Sequence, residues 1–214
     1  MRRFLWLAVT VAAMCGFAAG ATLLNENFDE LTPMLTATSV GAFSAIDGTN
    51  VDIVGGALFG SLCVAPESGN CIDLDGTGGN PQGILQTNTP ITLSPGMDYL
   101  LSFDLIGSSR GNTTSTTVTF GPYSQTFSLA SGDYASGIVT SQLVTVSSTT
   151  AANLTFTSNT PGEEGAVLDN VLITSSSATT APEPATGWLI GSLLAAVGLG
   201  HRLRRGTDSG SSGD

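Results

Sequence analysis

Lysine is absent from the 214 residues, and the only histidine, His201, stands at the far end of a hydrophobic tail. The six basic residues are all arginines, and between residues 22 and 174 only Arg110 remains, facing 14 acids. That stretch carries a net charge of −13, against −11 for the whole chain. A surface so acidic repels phosphate, which excludes nucleic acid as a partner. Without lysine or histidine the body has no Schiff-base lysine, no Ser-His or Cys-His nucleophile and no histidine metal site. Tryptophan is missing from the body too, since Trp6 and Trp188 lie near the two ends. No stretch of the body carries a helical 3.6-residue period. What it has in quantity is Ser, Thr and Gly.

The ends read as addresses. Met1-Arg2-Arg3 precedes an apolar run from Phe4 to Phe17 that closes on Ala19-Gly20-Ala21. A basic start, a short apolar run and small residues make a secretory signal peptide over 1–21, cleaved after Ala21. At the other end an apolar run, Trp188 to Gly200, is followed by His201, Arg202, Leu203, Arg204 and Arg205. Arginines flanking an apolar helix stay on the cytoplasmic side, which places residues 22–181 outside the inner membrane. The run is short for a bilayer, as suits a transient anchor. A permanent C-terminal anchor is the alternative.

The body, 22–174, reads as strands. Tyr99, Leu101, Phe103 and Leu105 alternate with polar neighbours, as do Thr116–Phe120 and Asn153–Thr157. Val51–Val54, Cys71–Leu74, Gly83–Thr87, Ser124–Leu129, Ile138–Val146 and Ala166–Thr174 are further strands. Turn residues separate them: Asp47-Gly48, Ser94-Pro95-Gly96, Gly121-Pro122 and Thr160-Pro161-Gly162. Many short strands with regular turns predict an all-β domain, an antiparallel jelly-roll β-sandwich. Residues 175–181 are Ser, Thr and Ala and read as a flexible linker. Residues 206–214 form a polar tail.

Cys63 and Cys71, the only cysteines of the exported part, bracket a seven-residue loop and are expected to form a disulfide outside the cytoplasm. Asp29 and Asp169 are short carboxylates at the two ends of the domain, and a sandwich can bring such ends together. With Glu26 they make a candidate structural calcium site, since calcium takes six to eight oxygens. Two carboxylates flanking a bond are the minimum for a glycosidase. Asp73/Asp75 and Glu163/Glu164 are the available pairs, but no motif fixes their separation, and acids in glycine-rich loops are expected to face solvent. Tyr123 and Tyr134 lie near turns and are candidates for glycan contact, whereas Tyr99 belongs to a core-facing pattern.

Two resemblances add to this. Pro182-Glu183-Pro184, the apolar run, and Arg202, Arg204 and Arg205 stand in the order of the PEP-CTERM sorting signal of Gram-negative, exopolysaccharide-producing bacteria, which 182–205 resembles. The resemblance implies processing near Pro-Glu-Pro by an exosortase-type membrane enzyme. In the body, Leu24-Asn25-Glu26-Asn27-Phe28-Asp29, Asn50-Val51-Asp52-Ile53-Val54, Cys71-Ile72-Asp73-Leu74-Asp75-Gly76 and Val167-Leu168-Asp169-Asn170-Val171 resemble, in that order, the choice-of-anchor C domain and related plant cell-wall domains. That family implies a galactose-binding-like sandwich, often with calcium joining its first and last strands. Its members are associated with cell-wall or extracellular polysaccharide. Phe43 stands where the family often carries a tryptophan.

The reading that follows is of an exported, non-enzymatic protein, membrane-anchored and then at the cell surface or in the extracellular matrix. It is structural or weakly carbohydrate-binding. The alternatives are a carboxylate-dependent hydrolase and an adhesion protein without glycan specificity.

Overall fold

The computed structural model describes residues 20–63, 69–78, 82–131, 133 and 138–177. Among them fifteen strands follow one another. These are β1 (Ala21–Glu26), β2 (Met34–Ala37), β3 (Ser39–Val40), β4 (Phe43–Ala45), β5 (Val51–Val54), β6 (Cys71–Asp73), β7 (Ile84–Thr87) and β8 (Ile91–Leu93). After them come β9 (Met97–Ile106), β10 (Thr114–Phe120), β11 (Tyr123–Leu129), β12 (Ile138–Val144), β13 (Thr150–Ala152), β14 (Leu154–Ser158) and β15 (Val167–Ser177). A short 3₁₀ turn, Gly60–Leu62, follows β5.

Period-2 alternation decides how these strands pack. One sheet runs β12-β9-β15-β6-β5-β2, with β1 also on β15; the other runs β11-β10-β14-β7-β4-β3; β8 and β13 form a small separate ribbon. All pairings are antiparallel. Leu101, Phe103 and Leu105 of β9 and Val118 and Phe120 of β10 point into one shared core. Its centre is a chain of rings: Phe43 lies 6.1 Å from Phe28 and 6.2 Å from Phe156, and Phe103 lies 5.2 Å from Phe156 and 5.6 Å from Phe127. These contacts span both sheets, so the fold is an antiparallel β-sandwich.

All nine strands legible as alternating or apolar runs are present, with ends shifted by at most three residues. The strands β1 to β4, β8 and β13 are too short, or too mixed in pattern, to stand out. The stretch expected to be linker begins later than expected. Ser175–Ser177 continue β15, because Met97–Tyr99 of β9 remain available to pair with them and Ala21 of β1 pairs with Ser175. Ser175 is buried. Both hydrophobic runs, the Pro-Glu-Pro segment and the rest of the linker lie outside the described residues. Among the described residues no helix is long and apolar enough to cross a membrane.

Candidate functional site: an acidic cleft beside a disulfide-pinned loop

The outer face of the seven-stranded sheet is unusual in being partly buried. Val54 of β5, Cys71 of β6, Ile106 of β9 and Val167 of β15 point away from the main core and form a second apolar cluster with Leu62. The loop after β5 folds down onto them. Gly55 and Leu58 exchange two backbone hydrogen bonds of 2.9 Å, and the Leu62 and Cys63 amides bond back to Phe59 and Gly60. The Cys63–Cys71 disulfide, with Cα atoms 5.7 Å apart, ties the loop to β6 as the cysteine count led us to expect.

The same loop sets Phe59 at the surface, 54% exposed. Its φ of +53° lies in the left-handed region, which costs a bulky residue on the order of 1 kcal/mol and persists only where the surroundings enforce it. Here its carbonyl accepts from the Leu62 amide at the start of the 3₁₀ turn.

Phe59 forms one wall of an open cleft of about 460 Å³ whose other walls include Asp52, Asp73, Thr77, Arg110 and Glu163. Asp52 and Asp73 are direct cross-strand partners on β5 and β6. Asp52 accepts from the Thr36 amide at 2.7 Å and from both the amide and the hydroxyl of Thr77, at 3.0 and 2.6 Å. Asp73 Oδ1 accepts from the amides of Asp75 and Gly165, each at 3.1 Å. The second of these needs glycine at 165, where a Cβ would come within 2.8 Å of Asp73 Oδ1 and 2.6 Å of the Asp75 nitrogen. Asp73 Oδ2 pairs with Arg110 Nη2 at 2.7 Å.

Burial dominates the electrostatics. Asp73 is 2% exposed, and loss of hydration pushes its carboxyl from 3.8 up to about 7, against the opposing pull of Arg110. Asp75 is 1% exposed; burial raises it too, opposed by the Ser158 hydroxyl and the Gly83 amide. Among the described residues its Oδ2 has no hydrogen-bond partner. The expectation that this acid pair faces solvent is therefore corrected: Gly83 and Gly165 let backbone amides close over both carboxylates. Arg110 is further held by Ser108 Oγ, 3.3 Å from Nε. Its Nη1 makes no hydrogen bond among the described residues.

The remaining sequence candidates are placed elsewhere. Glu26 staples a turn, its two oxygens accepting from the amides of Phe28 and Ala42. Asp29 accepts from Asn27 Nδ2 and the Asn70 amide. Asp169 sits opposite Asp104 on β9 and accepts from the Asn170 amide at 2.7 Å. Asn170, left-handed at a register shift, reaches back to Asp104 Oδ2 at 2.8 Å. All three carboxylates accept hydrogen bonds from N–H donors. Among the described residues no three acids, cysteines or histidines gather as metal ligands. Tyr123 packs partly against the core, donates to Gln125 Oε1 at 3.1 Å, and has its phenol raised by burial. Tyr134 lies outside the described residues. Phe43 is wholly buried and offers no glycan platform. Glu163 is exposed and accepts from the Gly78 amide at 2.8 Å, and Glu164 is half-buried.

Sequence reasoning missed Phe59, Asp52 and the role of Arg110. The available signal was an aromatic between Leu58 and Gly60, in the loop that runs into Cys63.

No family model matches the chain, and no curated protein is significantly similar to it in sequence. Among solved structures it is similar to the CBM22-1 xylan-binding domain from Paenibacillus barcinonensis Xyn10C: 13% identity, 75% of this chain and 98% of that one, TM-score 0.48. The tandem CBM22-1-CBM22-2 domain of the same protein matches at 14% identity over 81% of this chain and 50% of that one, TM-score 0.49. The K3 cleaved adhesin domain of Lys-gingipain from Porphyromonas gingivalis matches at 15% identity over 73% and 99%, TM-score 0.47. Likeness at this level says nothing of what this chain binds.

Proposed function

We propose that this chain is an exported, non-enzymatic β-sandwich that contacts extracellular polysaccharide through the Phe59–Arg110 cleft. The observation that carries the reading is Phe59 itself: a half-exposed aromatic, held in a strained conformation by a disulfide-pinned loop, beside a cluster of fixed hydrogen-bonding groups. Sugar rings present apolar C–H faces that pack on an aromatic ring, and hydroxyls that pair with carboxylates and guanidinium nitrogens. The net charge of −13 on residues 22–174 favours a neutral glycan over an acidic one.

Catalysis does not suit the cleft. A general acid needs a free oxygen aimed at the leaving group, whereas the amides of Asp75 and Gly165 occupy Asp73 Oδ1 and Arg110 occupies Oδ2. Export by the signal peptide, a galactose-binding-like lineage, and transient anchoring through 182–205 with release by an exosortase-type enzyme complete the proposal. They rest on the sequence motifs.

Affinity electrophoresis through neutral polysaccharides tests the cleft. Retardation by at least one neutral glycan is expected, with its loss in both Phe59→Ala and Arg110→Ala while the near-ultraviolet CD stays unchanged. Retention by both variants, or release of reducing ends from the glycan, would overturn the reading.

A further inference from the structure

The strand β11 closes the six-stranded sheet, and among the described residues no strand pairs with its outer edge. It is seven residues long, pairs with β10 without a register shift from Thr114↔Leu129 to Phe120↔Tyr123, and contains neither a charge nor a proline. Sheets normally guard such an edge with lysine, proline, a bulge or a covering segment, because alternate N–H and C=O groups along it point outward and seek a partner. Among the described residues, 123–129 make backbone hydrogen bonds to β10 alone.

The strand is also complementary to itself. Ser124, Thr126 and Ser128 face outward, and Tyr123, Gln125, Phe127 and Leu129 face the core side. Antiparallel pairing with a second β11 about Thr126 sets Thr126 opposite Thr126, Ser124 opposite Ser128, Gln125 opposite Phe127 and Tyr123 opposite Leu129. Every outward side chain then meets an outward one, as a two-fold axis through the edge requires. Charge points the same way. Two copies whose bodies, residues 22–174, each carry −13 repel one another, and pairing through this edge sets no charged side chain of the strand against another. β12 closes the other sheet on the same side, since Phe103 next to it touches Phe127 of β11, and β12 is uncharged as well.

We infer that β11 is a self-association edge: two copies pair antiparallel through Tyr123–Leu129 and join their six-stranded sheets into one of twelve. For a chain read as a matrix component this supplies a way to link copies without a glycan, but it does not depend on that reading.

Sedimentation of the full-length chain in neutral detergent provides the test. A monomer–dimer equilibrium is expected, tightening as salt rises from about 50 to 500 mM because screening relieves the shared negative charge. Thr126→Lys places two cations directly opposite each other and should weaken the dimer at least about tenfold. Thr157→Lys on β14 adds the same charge to the same sheet away from the edge and should leave the dimer intact. If Thr126→Lys disturbs the fold, Thr126→Cys decides, since oxidation should give a reducible covalent dimer that Thr157→Cys does not form. The inference is overturned by a wild-type monomer throughout, by equal loss in both lysine variants, or by a dimer indifferent to Thr126→Lys, which would assign association to the hydrophobic tail.

Discussion

The two sheets of this sandwich share one core and almost nothing else. The strands of the seven-stranded sheet carry six acids: Glu26, Asp52, Asp73, Asp98, Asp104 and Asp169. Those of the six-stranded sheet carry no charge at all. Its outer face is a carpet of hydroxyls and amides in register, one row running Ser124, Thr119, Thr155, Gln86 and Ser44 across five strands. These groups satisfy one another: Thr117 and Thr126 lie 2.8 Å apart, and Gln86 Nε2 donates to Thr155 at 3.2 Å. On the other sheet a pinned loop covers part of the outer face, which holds carboxylates buried at an electrostatic cost. Buried, perturbed acids cluster where ligands bind more often than elsewhere. The contrast therefore separates the face we propose to bind from the sheet whose edge we propose to assemble.

The largest effect is expected where the sheets are joined. Phe156 touches both Phe43 and Phe103, and Phe156→Ala should cost about 3–5 kcal/mol, enough to unfold both sheets together in a single cooperative transition. Two separate transitions in the wild-type melt would show instead that the sheets are independent. Next comes the disulfide. Replacing Cys63 and Cys71 by serine should cost about 2.5 kcal/mol by chain entropy. It should also free Phe59 and abolish glycan retention while leaving dimerisation untouched, so equal loss of both would erase the distinction between the faces.

A smaller effect concerns pH. The folded carboxyl of Asp73 titrates near 7 and its unfolded counterpart near 3.8. Between those values the folded state binds the extra proton, so stability falls as pH rises, by on the order of 1 kcal/mol per unit. Asp73→Asn should flatten the fall in melting temperature between pH 5 and about 7. A parallel slope in wild type and variant would place the titration elsewhere. Smallest of all, Thr157→Val on the hydroxyl face should move stability by less than about 0.5 kcal/mol. EDTA should leave the melting temperature unchanged, because Glu26, Asp29 and Asp169 already face N–H donors. A fall with EDTA would restore calcium to this end of the domain.

Much of this architecture could be read from the chain and its chemistry less so, for a physical reason. Alternation is a local signal, so Tyr99–Leu105 and Thr116–Phe120 announce their sheets and their buried faces. Burial of an acid is not local. Asp73 is satisfied by the Gly165 amide, 92 positions away, and Asp75 by Gly83. Nothing in Asp73-Leu74-Asp75-Gly76 distinguishes that from a solvated turn. Likewise Phe59 is one residue in a glycine-rich loop, and only the folded disulfide shows that it is displayed rather than buried. Asp29 and Asp169 looked like partners because sequence places them near opposite ends. Hydrogen bonding assigns each to a neighbour instead.

The terminal strand has a mechanical consequence. Antiparallel β1 leaves Ala21 beside Ser175, so both ends of the domain emerge together. β15 is flanked along its length, by β9 on one side and by β6 and then β1 on the other. A pull on the segment that follows Ser177 runs along this strand and loads its lateral bonds in shear, many at once, instead of unzipping them singly. A body tethered there would withstand drag on its far side without surrendering its core, and cutting the tether would set it loose intact.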